Sequence, residues 1–448
     1  MTLQVLHGDC LDLLPTLDAD SISAVVTDPP YHLTSMVQRL SRTNGAEVEK
    51  NFTKTCDGQA TNPFAAMARG FMGKSWDGGD IAFRPDTWRA VLRVMKPGAY
   101  MVCFASTRGY HRMVCAIEDA GFIIHPMLGW IFGSGFPKAT NLSRMIDKHL
   151  GATREPGTPR VYADGTTGHW GVSDKFAQDA HTKSLTAGTP KLDTAPATPE
   201  AQQWDGWAYG LQSLKPGLEP ICLAQKPAIR EGMVANVLRH GTGAINVDAT
   251  RIGTDTITQH GRSGDNFGFT TPEEPGRSWS GRWPANVLHD GSPEVLDAFA
   301  RFGESTSTDN PRHNGEFKSV AKGRDLPHTT HGHADCGSPA RFFASCPPSP
   351  DELRFHYSAK ADKADRAGSS HPTVKPLSLL KWLTRLITPP GGTVLDPFAG
   401  SGGVAEACML QGFDCILIER EAQHAADIAH RINRWSGADR PLFTEAAD

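Results

Sequence analysis

Two short apolar runs, each closed by a carboxylate, stand about 370 residues apart in a chain of 448. The first, Ile22-Ser23-Ala24-Val25-Val26-Thr27, leads into Asp28-Pro29-Pro30-Tyr31. The second, Thr393-Val394-Leu395, leads into Asp396-Pro397-Phe398-Ala399-Gly400-Ser401-Gly402. A continuous β-branched run bounded by turn residues reads as a strand buried on both faces, the kind found in parallel sheets covered by helices. Both runs are therefore strand-to-loop junctions. One ends in a carboxylate, two prolines and an aromatic ring, which suits a planar amine. The other ends in a carboxylate and a glycine turn, which suits a nucleotide-like cofactor.

The segments around these junctions alternate between strand and helix. Thr2–Asp9 reads as a short strand, and Cys10–Leu17 carries leucines at helical spacing. Trp88–Val94 reads as a helix stopped by Lys96-Pro97-Gly98, Ala99–Ala105 as a buried strand, and Tyr110–Ala120 as a helix ended by Gly121. Phe122–Phe132 reads as a strand, and Pro220–Ala224 as a strand that returns to the sheet. Pro376–Thr388 is an amphipathic helix with Leu377, Leu380, Leu383, Leu386 and Ile387 near one face. After the second junction come a helix over Gly403–Gln411, a strand over Asp414–Ile418 ending at Glu419, and a last helix near 421–435. This alternation predicts an α/β fold with a mostly parallel sheet. Three stretches break it. Residues 32–80 form a long polar, Gly-rich loop, 151–203 are rich in Thr, Ala, Gly, Pro and Asp, and 228–355 carry scattered Arg, His, Trp, Gly and Asn without a long helical pattern.

Each junction has its own chemistry. The second carries no Lys, so a triphosphate grip is not expected. Glu419 ends the next strand about 23 residues after Asp396, the spacing of a carboxylate that reaches ribose hydroxyls. A nucleoside cofactor without a phosphate chain fits best. At the first junction, the problem to solve is the exocyclic amine of a nucleobase, whose lone pair is delocalised into the ring. Acceptors that draw its N–H groups out of plane make it nucleophilic. Asp28 offers a carboxylate, Pro29 a rigid carbonyl, Pro30 a fixed turn, and Tyr31 a flat face for an extruded base.

These residues resemble the S-adenosylmethionine-dependent DNA amino methyltransferases, which act on adenine N6 or cytosine N4. Asp28-Pro29-Pro30-Tyr31 is similar to their catalytic motif and Asp396–Gly402 to their cofactor motif. His371-Pro372-Thr373-Val374-Lys375-Pro376 resembles the segment that completes the methionine end of the cofactor site, and Gly8-Asp9-Cys10 the early acidic motif at the cofactor's adenine. Gly70–Asp77, Gly135-Phe136-Pro137 and Tyr357-Ser358-Ala359-Lys360 also look like bacterial and phage members.

A catalytic motif that precedes the cofactor motif is the order of the beta class, which places target recognition between them. The resemblance implies a Rossmann-like, circularly permuted methyltransferase domain divided as follows. Residues 1–150 are the catalytic half, 151–204 a variable insert, 205–227 a return to the sheet, 228–355 a target-recognition module, and 356–448 the cofactor half. It further implies that Asp9, Asp396, Phe398, Gly400, Ser401, Gly402 and Glu419 hold the nucleoside of S-adenosylmethionine. Thr373 and Lys375 are implied to hold its methionine carboxylate, with its methyl facing Asp28. Direct transfer of this kind needs no metal. The implied partner is double-stranded DNA, and a homodimer is compatible with the class.

Asp-Pro-Pro-Tyr is more typical of adenine enzymes and Ser-Pro-Pro-Tyr of cytosine-N4 enzymes, so adenine N6 is favoured. Methylation of an amine or amide in RNA or protein is a competing reading, but such enzymes often carry Asn at the Asp28 position and place the cofactor motif first. A DNA-binding module with a vestigial methyltransferase fold is a third, and intact motifs argue against it. No nuclease motif is evident, so a solitary or separately partnered modification enzyme is expected.

Bulk properties constrain less. The formal net charge of −4 argues weakly against a simple nucleic-acid-coating protein, yet a local basic groove needs no basic chain. The chain holds nine cysteines without a CxxC pair and no run near the roughly 18 apolar residues of a membrane span. A reduced cytoplasmic setting is the expectation. His328, His331, His333, Cys336 and Cys346 could supply zinc ligands by spacing, but a polar Gly/His loop is the commoner explanation, and no metal is expected. Trp76 could cover a flipped base. Trp279 and Trp283, interleaved with Arg277 and Arg282, could touch DNA or simply pack.

Overall fold

The computed structural model describes residues 1–31, 80–133, 135, 137–155, 157–159, 169–170, 189–190, 192–259, 265–266, 269–270, 277–306, 336–346 and 374–436. Two compact units are present. The larger comprises Met1–Ser134, Leu218–Tyr357 and Ala361–Asp448.

The larger unit is organised by one ten-stranded sheet. Its strands are β1 (Leu3–His7), β2 (Ile22–Thr27), β3 (Met95–Phe104), β4 (Ile123–Ile124), β5 (Leu128–Ile131), β6 (Leu218–Gln225), β7 (Val287–His289), β8 (Ala344–Ser345), β9 (Thr393–Asp396) and β10 (Asp414–Glu419). The spatial order is β1-β10-β9-β2-β3-β6-β5-β7-β8, with β4 also paired to β6. Strands β1, β10, β9, β2 and β3 are mutually parallel. Strand β6 runs against β3, β4 and β5, while β7 and β8 run parallel to β5. The sheet is thus parallel throughout except for β6, in the α/β class expected from the alternation of elements. It joins the two ends of the sequence at β2 and β9, where Ala24 lies opposite Val394 and Val25 opposite Leu395.

All six residues of β2 are buried, the polar Ser23 and Thr27 included, as befits a central parallel strand covered on both faces. The strands serve two cores: side chains alternate along β2 from Ala24 to Val26, and Ile22, before the register shift, joins the core of Val25. Ala24, Val26, Val102, Phe104 and Val394 pack with Leu379, Leu380, Leu383, Leu386 and Ile387 of the helix Leu377–Ile387. Ile22, Val25, Met101, Cys103 and Leu395 pack with Trp88, Val91 and Val94 of Pro85–Val94 and with Met113, Ala116 and Ile117 of Tyr110–Asp119. Helices on both faces leave the strand ends as the open edge where ligands bind in such sheets.

Several local expectations need correction. Lys96-Pro97-Gly98 lies inside β3 instead of before it. The register with β2 jumps there, from Ile22 opposite Met95 to Ala24 opposite Tyr100, because Pro97 has no N–H to give the ladder. Gly98, at φ +79°, turns its N–H to Lys226 O instead. Phe122–Phe132 is not one strand but two, β4 and β5, split by residues 125–127. Residues 228–355, expected to stand apart as a module, supply β7 and β8 to the main sheet and hold two eight-residue helices, Met233–His240 and Pro293–Ala300.

The smaller unit includes Gly135–Gly217, so the insert expected at 151–204 is part of a body that begins before it and ends after it. Lys138–Asn141 and Ala208–Gln212 pair antiparallel. Asn141 caps the helix Leu142–His149. Buried Asp147 of that helix accepts from Arg154 Nε at 2.5 Å and from the Thr198 hydroxyl at 2.8 Å, which fastens the insert to the helix. Among the described residues no helix is long and apolar enough to cross a membrane.

Candidate active site

Because β1, β10, β9 and β2 run parallel, their carboxyl ends share one edge, and the acidic residues that end them gather there: Asp9, Glu419, Asp396 and Asp28. Each has a defined local role. Asp9 caps the short helix Cys10–Leu13 by accepting from Leu11 N at 2.9 Å. Asp396 Oδ1 accepts from the Thr27 hydroxyl at 2.7 Å and from Phe398 N at 3.1 Å, which ties the end of β9 to the end of β2. Glu419 accepts from Gly400 N and Glu421 N, both at 2.8 Å.

The glycine turn therefore points backbone donors at its own carboxylates. Gly402, at φ +80°, then starts the helix Gly403–Gln411, with buried Ser401 beside it. Phe398 meets the edge of Trp88 with ring centroids 6.5 Å apart. Burial pushes the Asp396 carboxyl up to about 7, against the pull of its two donors and with help from nearby Asp28 and Glu419. Burial also raises Glu419, partly offset by the backbone N–H groups of Glu421 and Gly400. An edge with buried carboxylates and no Lys on the turn is hostile to phosphate. It suits hydroxyl donors and a cation. Glu419 has a lone pair left on each oxygen after its two backbone bonds, enough for a ribose diol.

The second cluster surrounds Asp28. Lys375 Nζ lies 2.9 Å from Asp28 Oδ2, 2.8 Å from Glu219 Oε1 and 3.0 Å from the Tyr31 hydroxyl. Tyr31 in turn donates to Glu219 Oε1. The Lys375 ammonium sits 5.3 Å from the Tyr31 ring centroid and 4.9 Å from that of Phe104. Burial pulls the pKa of this ammonium down, but the Asp28 and Glu219 carboxylates outweigh that and raise it above the ordinary lysine value, so it stays protonated. Burial, with the same two carboxylates, raises the Tyr31 phenol, which stays neutral. Asp28 Oδ1 is buried and has no hydrogen-bond partner among the described residues. A buried bare acceptor beside a fixed aromatic ring is a place prepared for an N–H donor.

The structure thus brings together Asp9, Asp28, Pro29, Pro30, Tyr31, Lys375, Asp396, Phe398, Gly400, Ser401, Gly402 and Glu419 at one sheet edge. Two expectations change. Lys375, taken from the resemblance as a holder of the methionine carboxylate, spends its three N–H donors on Asp28, Glu219 and Tyr31. Glu219 was absent from the expected set. It reaches this edge because β6 runs against its neighbours, so the start of β6 lies where theirs end. Its signal in the sequence is a lone acid entering an apolar run, Glu219-Pro220-Ile221-Cys222-Leu223, and that becomes informative only once the strand's direction is known.

Thr373, Trp76 with its loop 70–77, 357–360, and His328, His331 and His333 lie outside the described residues. Of the remaining zinc candidates, Cys336 is exposed and Cys346 buried, and no cluster of metal-ligating side chains occurs among the described residues. Trp279 and Trp283 do interleave with an arginine, but it is Arg251, at 5.2 Å and 5.7 Å from their ring centroids. Arg282 instead lies over Phe342.

A model of the DNA methylase family, that of the N6 and N4 enzymes, matches residues 22–430. Among curated proteins, "Putative methylase YubD" of Escherichia coli (strain K12) is 39% identical over 77 residues. That match spans 17% of this chain and 30% of the relative's length. Among solved structures, the complex of M1.HpyAVI with SAM aligns over 96% of this chain and 98% of its own, at 13% identity and a TM-score of 0.35. The PvuII DNA methyltransferase, described as cytosine-N4-specific, aligns over 96% and 87%, at 11% identity and a TM-score of 0.38.

Proposed function

This chain belongs to the DNA methylase family of N6 and N4 enzymes, and from that premise we propose that it methylates the exocyclic amine of a flipped-out base in double-stranded DNA, with adenine N6 as the target. S-adenosylmethionine supplies, when bound, an electrophilic methyl group on a sulfonium. The acidic edge formed by Asp9, Asp396 and Glu419, with Phe398, Gly400, Ser401 and Gly402, is the proposed seat of its nucleoside. The chemistry of these donors and acceptors suits a ribose diol and a cation. Thr373 is the proposed contact for the methionine carboxylate. Asp at position 28, where cytosine-N4 enzymes more often have Ser, supports adenine.

The observation that carries this reading is the bare, buried Oδ1 of Asp28. An amine N–H directed at that oxygen, with a second directed at the Pro29 carbonyl, is drawn out of the ring plane, and the nitrogen lone pair is released toward the methyl group. Tyr31, pinned through its hydroxyl, offers the face on which the extruded base stacks. The proton lost by the methylated nitrogen passes to Asp28.

Asp28→Ala tests the assignment. Turnover should fall by about 10²–10⁴-fold, while calorimetric binding of S-adenosylmethionine stays within a few-fold of wild type. A fully active Asp28→Ala enzyme would sink the assignment of Asp28.

A further inference from the structure

A lysine beside the acceptor is at first sight a fault in the design. An ammonium 2.9 Å from Asp28 Oδ2 could equally bridge both carboxylate oxygens or swing onto Oδ1, and either would occupy the atom an incoming amine needs. Two further acceptors prevent this. Glu219 Oε1 lies 2.8 Å from the same ammonium and the Tyr31 hydroxyl 3.0 Å. The three N–H donors are therefore all committed, and the nitrogen is held on one side of Asp28. The pair is nearly dry: the Lys375 side chain is 11% exposed and that of Glu219 15%. Glu219 also accepts from Tyr31, so one carboxylate fixes both the lysine and the aromatic ring. Two carboxylates, those of Asp28 and Glu219, share the one ammonium of Lys375.

We propose that Glu219 is a positioning residue for methyl transfer. Through Lys375 it keeps Asp28 Oδ1 free as the acceptor, and through Tyr31 it sets the plane on which the base stacks. This rests on the methyl-transfer reading above and deepens it. Glu219 touches neither the amine nor the methyl donor; it acts through its two partners.

The experiment is a double-mutant cycle on the full chain, with steady-state kinetics on duplex DNA and calorimetric titration of S-adenosylmethionine. Glu219→Gln keeps the shape and an acceptor oxygen but removes the charge. It should lower kcat by about 10–100-fold, the range of a lost charge-assisted contact, with the Kd for S-adenosylmethionine within about 3-fold of wild type. Lys375→Met should lower kcat comparably and also spare cofactor affinity. Because the two side chains share the Lys375–Glu219 contact, while Glu219 also holds Tyr31, the double variant should lose clearly less than the product of the two single losses. Glu219→Asp, which keeps the charge, should retain more activity than Glu219→Gln; it also carries the test if Glu219→Gln does not fold.

Wild-type kcat in Glu219→Gln, additive losses in the double variant, or Glu219→Asp no better than Glu219→Gln would each overturn the proposal and leave the methyltransferase reading standing. A large loss of cofactor affinity in both single variants would overturn it in favour of a cofactor-holding role for Lys375. A wild-type protein that transfers no methyl group to DNA would fail the function reading itself, and this inference with it.

Discussion

Asp396 is the residue whose environment makes the most quantitative demand on the protein. It is 3% exposed, and its carboxyl is pushed up to about 7 by burial. The folded state therefore holds this proton more tightly than the unfolded chain does. Its contribution to stability is complete below about pH 4 and is lost as pH rises through about 7. At about 1.36 kcal/mol per pH unit, a carboxyl carried from 3.8 to about 7 costs the folded protein about 4 kcal/mol once ionised.

Asp396→Asn removes the ionisation and keeps an oxygen for the Thr27 hydroxyl and the Phe398 N–H. Urea denaturation of the cofactor-free protein should find the two proteins equal near pH 4 and the Asn variant more stable by about 4 kcal/mol at pH 8. Other titrating groups are common to both proteins and cancel in the difference. Parallel stability curves across this range, or an Asn variant less stable at pH 8, would refute the reasoning.

Three further outcomes are expected. Glu419→Gln turns an amide NH₂ toward one of the two backbone N–H groups that the carboxylate now serves, so S-adenosylmethionine should bind about 10–100-fold more weakly, a loss of about 1.5–3 kcal/mol; unchanged affinity by calorimetry would remove Glu419 from the cofactor site. Gly402→Ala puts a Cβ at a φ of +80° and 3.1 Å from Ile428 Cγ1 and Cγ2, and should cost about 1–3 kcal/mol in chemical denaturation; a neutral result would mean the turn is looser than described. Buried Asn236 donates to Pro97 O at 2.9 Å and Thr242 O at 2.7 Å and accepts from Ile229 N at 3.1 Å, so Asn236→Ala should cost about 2–4 kcal/mol yet leave cofactor affinity intact. An effect on cofactor binding there would point to coupling that these contacts do not contain.

Much of the fold was legible because its central strands are buried on both faces. Ile22–Thr27 and Thr393–Asp396 show this as short runs dominated by β-branched and small apolar residues, and the acids, prolines and glycines that follow mark where the strands stop. The helix Leu377–Ile387 was legible for the complementary reason: one face is apolar and the other is not. What escaped depends on strand direction and pairing, which a linear pattern does not encode. The two-residue strand β8 and the three-residue β7 are too short to show a period, so 228–355 read as separate from the sheet. Glu219 escaped because only the reversed course of β6 carries it to the edge where Asp28 waits. Lys375 was found by its motif, yet its role turns on Asp28 and Glu219, which lie 347 and 156 residues away along the chain.

The decisive measurement supplies unmethylated duplex DNA and methyl-labelled S-adenosylmethionine to the purified protein, then digests the DNA to nucleosides for mass spectrometry. Methyl transfer at Asp28 to adenine would yield labelled N6-methyladenine. Labelled N4-methylcytosine would correct the base while keeping the chemistry at Asp28. A protein that binds S-adenosylmethionine but leaves every DNA nucleoside unlabelled would rule out DNA methylation as its activity.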